Sequence, residues 1–151
     1  MIISIMILQY LFIRWKMYNS ILVFIKHPTG LYGLEILVKN KLKIKAIFIK
    51  ENLKHQRWYK DTIIFARENN INVHEIQNIN HSTHIDQIIE YNPDLVFSIF
   101  FDQIIKGPLL QVPKIGIINF HPGLIPDYRG GHAVQEQIIN GEPFIGVTSH
   151  F

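Results

Sequence analysis

Cysteine is absent from the 151-residue chain. A disulfide scaffold, a thiolate zinc site, an iron–sulfur cluster and a cysteine nucleophile are thereby excluded. Charge is sparse: Asp, Glu, Lys and Arg supply 18% of the residues, against 48% that are hydrophobic. That balance excludes intrinsic disorder. No apolar run reaches the roughly 20 residues that a membrane-spanning helix needs. The longest, residues 2–13, is broken by Ser4 and Gln9 and followed by Arg14 and Lys16. A secretory signal has its positive charge before the apolar core and a small-residue cleavage site after it, and neither is present. The expected organisation is an apolar N-terminal extension over residues 1–16 and one domain over residues 17–151, in a cytoplasmic protein.

Negative charge is scarce in the first half. Residues 1–67 hold twelve Lys and Arg against three Asp and Glu, whereas residues 68–151 hold three against nine. A basic half could face phosphates. However, Lys41, Lys43 and Lys45 alternate with Leu42, Ile44 and Ala46, which sets the lysines on the water side of an entering strand. No basic run is interleaved with aromatics as a single-strand nucleic-acid groove requires.

What is present is an alternation of β-rich apolar runs and helical patterns. Strands are expected at residues 20–25, 44–49, 71–76, 95–101 and 115–120, with a sixth beginning at Gly146. Helices are expected at 31–38, 62–68, 85–91 and 133–139, with a short helical stretch at 104–110. Residues 51–61 read as a polar loop whose Trp58 and Tyr59 could form a lid or cover the sheet edge. The pattern implies an α/β fold, a Rossmann-like, mostly parallel twisted sheet flanked by helices, incomplete at the C-terminus. Such sheets bind ligands beyond the carboxyl ends of their strands.

Two constellations lie at those ends. Gly30-x-x-Gly33 opens a helix after strand one, and Glu51 ends strand two, which invites a nicotinamide reading. The first glycine of the dinucleotide fingerprint is missing, and Pro28 removes an N–H that a pyrophosphate would use. Gly33 is better explained by close helix–sheet packing. The second constellation follows strand five: Asn119-Phe120-His121-Pro122-Gly123-Leu124-Ile125-Pro126-Asp127-Tyr128-Arg129-Gly130-Gly131. In extended backbone Asn119 and His121 point to one side and Phe120 to the other. An amide donor beside an imidazole suits acyl transfer through a tetrahedral centre, with no covalent nucleophile nearby. By spacing alone, capping of a loop by the same two side chains stays open.

The run Asn119-x-His121-x-x-Leu124-x-Pro126-x-Tyr128-Arg129-Gly130 resembles the signature of the folate-dependent formyltransferases, N-x-H-x-x-L-[LI]-P-x-[YFW]-[RK]-G. Residues 104–110, Asn140-Gly141-Glu142 and Gly146-Val147-Thr148-Ser149-His150 resemble the family's flanking segments. The resemblance implies transfer of a formyl group from 10-formyltetrahydrofolate to a primary amine. It implies that Asn119 hydrogen-bonds the formyl oxygen and that His121 stabilises the oxyanion and moves protons. Phe101, Asp102, Gln103 and Ile104 would contribute backbone to the pterin pocket. The loop bearing Gly123, Pro126, Tyr128, Arg129 and Gly130 would shape the acceptor side, with Ile125-Pro126 a candidate cis peptide. The family's third catalytic residue, an Asp nine positions after the Thr matching Thr148, would fall at position 157. The expectation is therefore a truncated chain with little or no activity as it stands.

The family's acceptors differ after strand one. Lys26-His27-Pro28-Thr29-Gly30 departs from the G-x-G-S-N phosphate loop of the glycinamide-ribonucleotide enzymes and resembles the x-H-x-x-G of sugar-nucleotide amine formyltransferases. A nucleotide-linked amino sugar is the expected acceptor, with methionyl-tRNA the alternative, since Arg129-Gly130-Gly131-His132 departs in part from the tRNA enzymes. Self-association into a homo-oligomer is compatible with either. No metal is expected: His81 and His84 lack a third ligand. His132 reads as a surface histidine at a helix start, and His150 as pointing to one face of the last strand. Outside the family, the rivals are a nicotinamide-binding domain and a non-catalytic folate or nucleotide binder.

Overall fold

The computed structural model describes residues 18–151; the extension expected at residues 1–16 lies outside them. Six strands form one sheet: β1 (Ile21–Ile25), β2 (Ile44–Lys50), β3 (Asn72–Ile76), β4 (Leu95–Ile99), β5 (Gly116–His121) and β6 (Thr148–His150). Their order is β3-β2-β1-β4-β5-β6. All neighbours pair in parallel except β6, which runs antiparallel to β5. The mostly parallel α/β sheet expected from the alternation is thus present. β1 and β4 are buried along their whole length, as near-continuous apolar strands in a sheet covered on both faces should be.

Helices α1 (Pro28–Lys39), α2 (Arg57–Glu68), α3 (Ser82–Glu90) and α4 (Ala133–Ile139) flank the sheet. Leu34 and Leu37 of α1 and Ala66 of α2 pack on Ile21, Val23 and Ile25. Ile88 of α3 and Leu109 of a 3-10 turn (Gly107–Gln111) pack on Leu22, Phe24 and Phe48 on the other face. A Cβ on Gly33 would come within 2.6 Å of Ile99 Cδ1, and one on Gly30 within 2.4 Å of Ile25 Cγ2. Both glycines therefore serve close approach of α1 to the sheet, as read for Gly33.

Several boundaries differ from expectation. Helix α1 starts at Pro28, not residue 31, because proline is preorganised for the first helical position and His27 Nδ1 accepts the Thr29 N–H as a cap. Helix α2 starts at Arg57, so Trp58 and Tyr59 are not in a loop. Tyr59, Thr62 and Ala66 recur at helical spacing on its buried face, and the polar residues between them face water. The Tyr59 hydroxyl donates to Glu75, and Trp58 packs on the first core cluster; they cover the sheet edge. Helix α3 gains its first turn from Ser82. Strand β4 stops at Ile99 because Phe100 turns into the left-handed region at φ 51°. β6 is limited to Thr148–His150. The residue before Gly107 is extended, so the helical stretch expected at 104–110 begins only at Gly107 and runs to Gln111. Lys41, Lys43 and Lys45 are exposed as expected, though Lys45 alone of the three lies within β2.

Candidate functional site

The sheet order reverses between β1 and β4, the switch point where an open α/β sheet leaves a crevice. A cavity of about 730 Å³ opens there, lined by Lys26 and His27 after β1, residues 100–105 after β4, Asn119 and His121 of β5, and Gly130, Gly131 and His150. Its volume is in the range of small-molecule sites. Phe100 creates the opening. A bulky residue at positive φ is strained, and it is held by its N–H donating to the Phe120 carbonyl and by stacking on the His27 ring at 5.8 Å. The turn sends residues 101–106 across the strand ends. There the Gln103 side chain accepts from the Ile79 N–H and donates to the Gln77 carbonyl, while the Asn80 amide donates to the Ile104 carbonyl. Phe101 tilts its ring against Phe24, and Ile104 is exposed at the rim.

Asn119 sits in a cross-strand row with Ser98 on β4 and His150 on β6. The buried Ser98 hydroxyl donates to Asn119 Oδ1 at 2.9 Å, which fixes the orientation of the amide. Asn119 Nδ2 lies 3.1 Å from His150 Nε2. His150 Nδ1 lies 2.9 Å from the Phe151 carbonyl, so it carries the ring proton and Nε2 accepts from the amide. One N–H of Asn119 is used in this way and the other is left to serve the cavity. His121 Nε2 donates to the Tyr128 carbonyl at 2.7 Å, which places the proton on Nε2 and leaves Nδ1 as the exchangeable position. Asn119 and His121 are thus brought together on one side of β5, as their spacing requires.

The loop after β5 is built around that imidazole. Gly123 is buried, and a Cβ there would meet the Tyr128 carbonyl at 2.5 Å and His121 Nε2 at 2.8 Å. Tyr128 directs its ring away from the cavity; its hydroxyl donates to Glu142 at 2.5 Å and accepts from Asn140. Thr148 Oγ1 donates to the Gly123 carbonyl at 2.6 Å. The fully buried Gln137 donates to the Pro122 carbonyl and accepts the Gly146 N–H. The Ile125-Pro126 peptide is cis. Gly130 reaches the cavity wall, whereas Pro126 and Arg129 are exposed outside it. Asp127 is exposed as well, and His132 stands exposed at the start of α4.

Ser98, Gln137 and the His150–Asn119 contact escaped the sequence reading. Ser98 lies inside an apolar strand where only register reveals its partner, and Gln137 is a polar residue inside a helix. Asp102, expected to contribute backbone, also presents its carboxylate to two lysines, Lys26 at 2.6 Å and Lys50 at 3.2 Å. Burial pushes the Asp102 carboxyl up, and the hydrogen bonds from Lys26 and Lys50 outweigh it, leaving the group below the ordinary carboxylate range. Burial, with Lys26 adding to it, holds His27 below the usual imidazole value. Among the described residues no group of three His, Asp or Glu could hold a metal ion, and no helix is long and apolar enough to cross a membrane.

Residues 19–151 match the family model described as formyl transferase. The chain is 31% identical over 133 residues to the bifunctional polymyxin resistance protein ArnA of Wigglesworthia glossinidia brevipalpis. That match covers 87% of this chain and 20% of the relative, so the chain spans about a fifth of that protein. Among solved structures, the phosphoribosylglycinamide formyltransferase of Streptococcus pneumoniae superposes with a TM-score of 0.69 at 17% identity, over 88% of this chain and 73% of that one. A formyltetrahydrofolate deformylase of Pseudomonas syringae superposes with a TM-score of 0.65 at 14% identity, over 88% and 45%. These structures share the fold. The chain belongs to the formyl transferase family, the folate-dependent enzymes whose signature its segment from Asn119 to Gly130 resembles.

Proposed function

We propose that the cavity at the β1–β4 switch transfers a formyl group from 10-formyltetrahydrofolate to the primary amine of a nucleotide-linked amino sugar. The observation that carries this reading is the fixed pair on β5: an amide locked by Ser98 with one N–H left for the cavity, beside an imidazole locked by the Tyr128 carbonyl. Residues 101–104 form the wall against which the pterin would lie, and their side-chain ties to residues 77–80 hold that backbone in place.

In this mechanism the acceptor nitrogen attacks the formyl carbon, forming a C–N bond and a tetrahedral oxyanion. Asn119 Nδ2 donates to that oxygen without itself titrating. His121, protonated at Nδ1, adds a second donor and passes its proton to the folate nitrogen as that C–N bond breaks. The proton lost by the attacking amine passes to the vacated His121 Nδ1, so the imidazole ends the step as it began, protonated. The Tyr128 carbonyl accepts from Nε2–H and holds the ring in orientation. The sugar acceptor is supported by Lys26-His27-Pro28-Thr29-Gly30, where Pro28 lacks an N–H and His27 already caps α1, so a backbone phosphate loop is not offered.

The test is calorimetric titration with the donor and its stable 5,8-dideaza analogue, followed by transfer assays with nucleotide-linked amino sugars and methionyl-tRNA. Binding of the donor with preference for the sugar acceptor is expected. In the chain extended to supply the Asp expected at position 157, His121→Ala or Asn119→Ala is expected to lower transfer by about 100-fold or more while donor binding persists. Absence of donor binding, or an unchanged rate in either variant, contradicts the reading.

A further inference from the structure

Lys26 and Lys50 bring two ammonium groups to one carboxylate oxygen, Asp102 Oδ2, at the cavity mouth. Their side chains and that of Asp102 are a quarter to a third exposed, so the cluster is open to a ligand. One carboxylate offsets one lysine, and a positive charge is left over. The Glu51 carboxylate is charged but forms no ion pair with either lysine: it accepts from Gln77, and its charge acts on Lys54 and Tyr59. The first turn of α1, beside Lys26, holds no acidic residue. Lys26 and Asp102 line the cavity with His27, and Lys50 reaches Asp102 from just outside that lining.

Strand order sets the distance from the Asn119 column. β1 is two strands from β5 and β2 is three, which at about 4.8 Å per strand places the ends of these strands about 10 and 14 Å from it. An acceptor with its amine at Asn119 must carry its anionic group at least one sugar ring away to reach the lysines. Two ammonium groups held side by side match two linked phosphates better than one carboxylate. We infer that Lys26, Lys50 and Asp102 form a diphosphate subsite, which recognises the diphosphate of a nucleoside-diphosphate amino sugar. The inference rests on the proposed formyl transfer to such an acceptor. Asp102 keeps the two like charges together in the free protein and competes with the ligand for them.

The competition makes the test specific. Inorganic pyrophosphate is titrated into the full chain and into three variants. Lys26→Gln/Lys50→Gln is expected to weaken binding about tenfold or more, and Lys26→Arg/Lys50→Arg to retain it. Asp102→Asn is expected to tighten binding several-fold, whereas a carboxylate that serves only to brace the loop would weaken it when lost. Unchanged pyrophosphate affinity in the glutamine variant overturns the subsite, as does weakening by Asp102→Asn in a variant that melts as the parent does. Mono- and pentaglutamyl forms of the folate donor are titrated in parallel. Loss of pentaglutamate affinity in the glutamine variant, with pyrophosphate unaffected, assigns the lysines to the donor's carboxylates and overturns the inference too. Failure of the parent chain to bind any form of the donor instead contradicts the formyl-transfer reading, so the two failures are distinguishable.

Discussion

Ser98 lines the cavity beside Asn119 and decides which way its amide faces. Its hydroxyl donates to Asn119 Oδ1, and without it the amide can rotate and present its oxygen, an acceptor, to a developing oxyanion. Ser98→Ala is expected to lower kcat about tenfold with a much smaller change in KM for the donor, because orientation matters in the transition state more than in binding. Equal changes in both parameters would mark Ser98 as structural only. Gly123 acts on His121, the other side chain proposed to be catalytic. Gly123→Ala drives a methyl group into the Tyr128 carbonyl and His121 Nε2. It is expected to destabilise the protein by about 1–3 kcal/mol and to remove the Nε2–H bond, which a downfield shift of the imidazole resonances lost from the NMR spectrum would reveal. Asn119, His121 and Gly123 were legible in the sequence as a strand-end motif. Ser98 was not, since its role comes from register across β4 and β5, which a sequence of apolar strands does not disclose.

At the scale of elements, the starts of the two central strands are tied by one side chain. Asp94 Oδ2 accepts the N–H groups of Asn19 and Ser20 ahead of β1, and Oδ1 accepts Lys114 Nζ at 2.7 Å ahead of β5. Its carboxyl lies below the ordinary range, through Lys114 first and then the two backbone N–H groups, with burial opposing. A depressed folded value means that the stabilisation is complete above the unfolded pKa and is lost as pH falls through the folded one. Asp94→Asn is expected to cost about 1–2 kcal/mol at neutral pH and to flatten the acid limb of the stability profile below about pH 4. An unaltered acid limb on chemical denaturation at several pH values would remove Asp94 from that role. Strand positions were readable because buried parallel strands are unbroken apolar runs. Helix starts were not: in α2 Trp58 and Tyr59 stand among Arg57, Lys60 and Asp61, and a face emerges only once Tyr59, Thr62 and Ala66 are aligned, while α3 opens on the polar run Ser82 through His84.

Across the whole molecule, the site is a product of topology. Chain reversal between β1 and β4 opens the cavity, Phe100 turns the wall across it, and β5 delivers Asn119 and His121 to its floor. The loop from Gly123 to Gly131 is then fastened by Thr148, Gln137 and Glu142, which come from elements later in the chain. Residues distant in sequence thus meet at one sheet edge, which explains why the motif could be read early and its supports could not. The lysine–carboxylate cluster shows the same effect, since Lys26, Lys50 and Asp102 carry no common motif and meet only at the strand ends. The most direct measurement is an NMR titration of the chain with the 5,8-dideaza donor analogue, observing the Asn119 side-chain amide and the His121 imidazole. Formyl transfer at this cavity predicts that both sets of resonances move together with a single saturating dissociation constant. Saturation with both sets unmoved would contradict it.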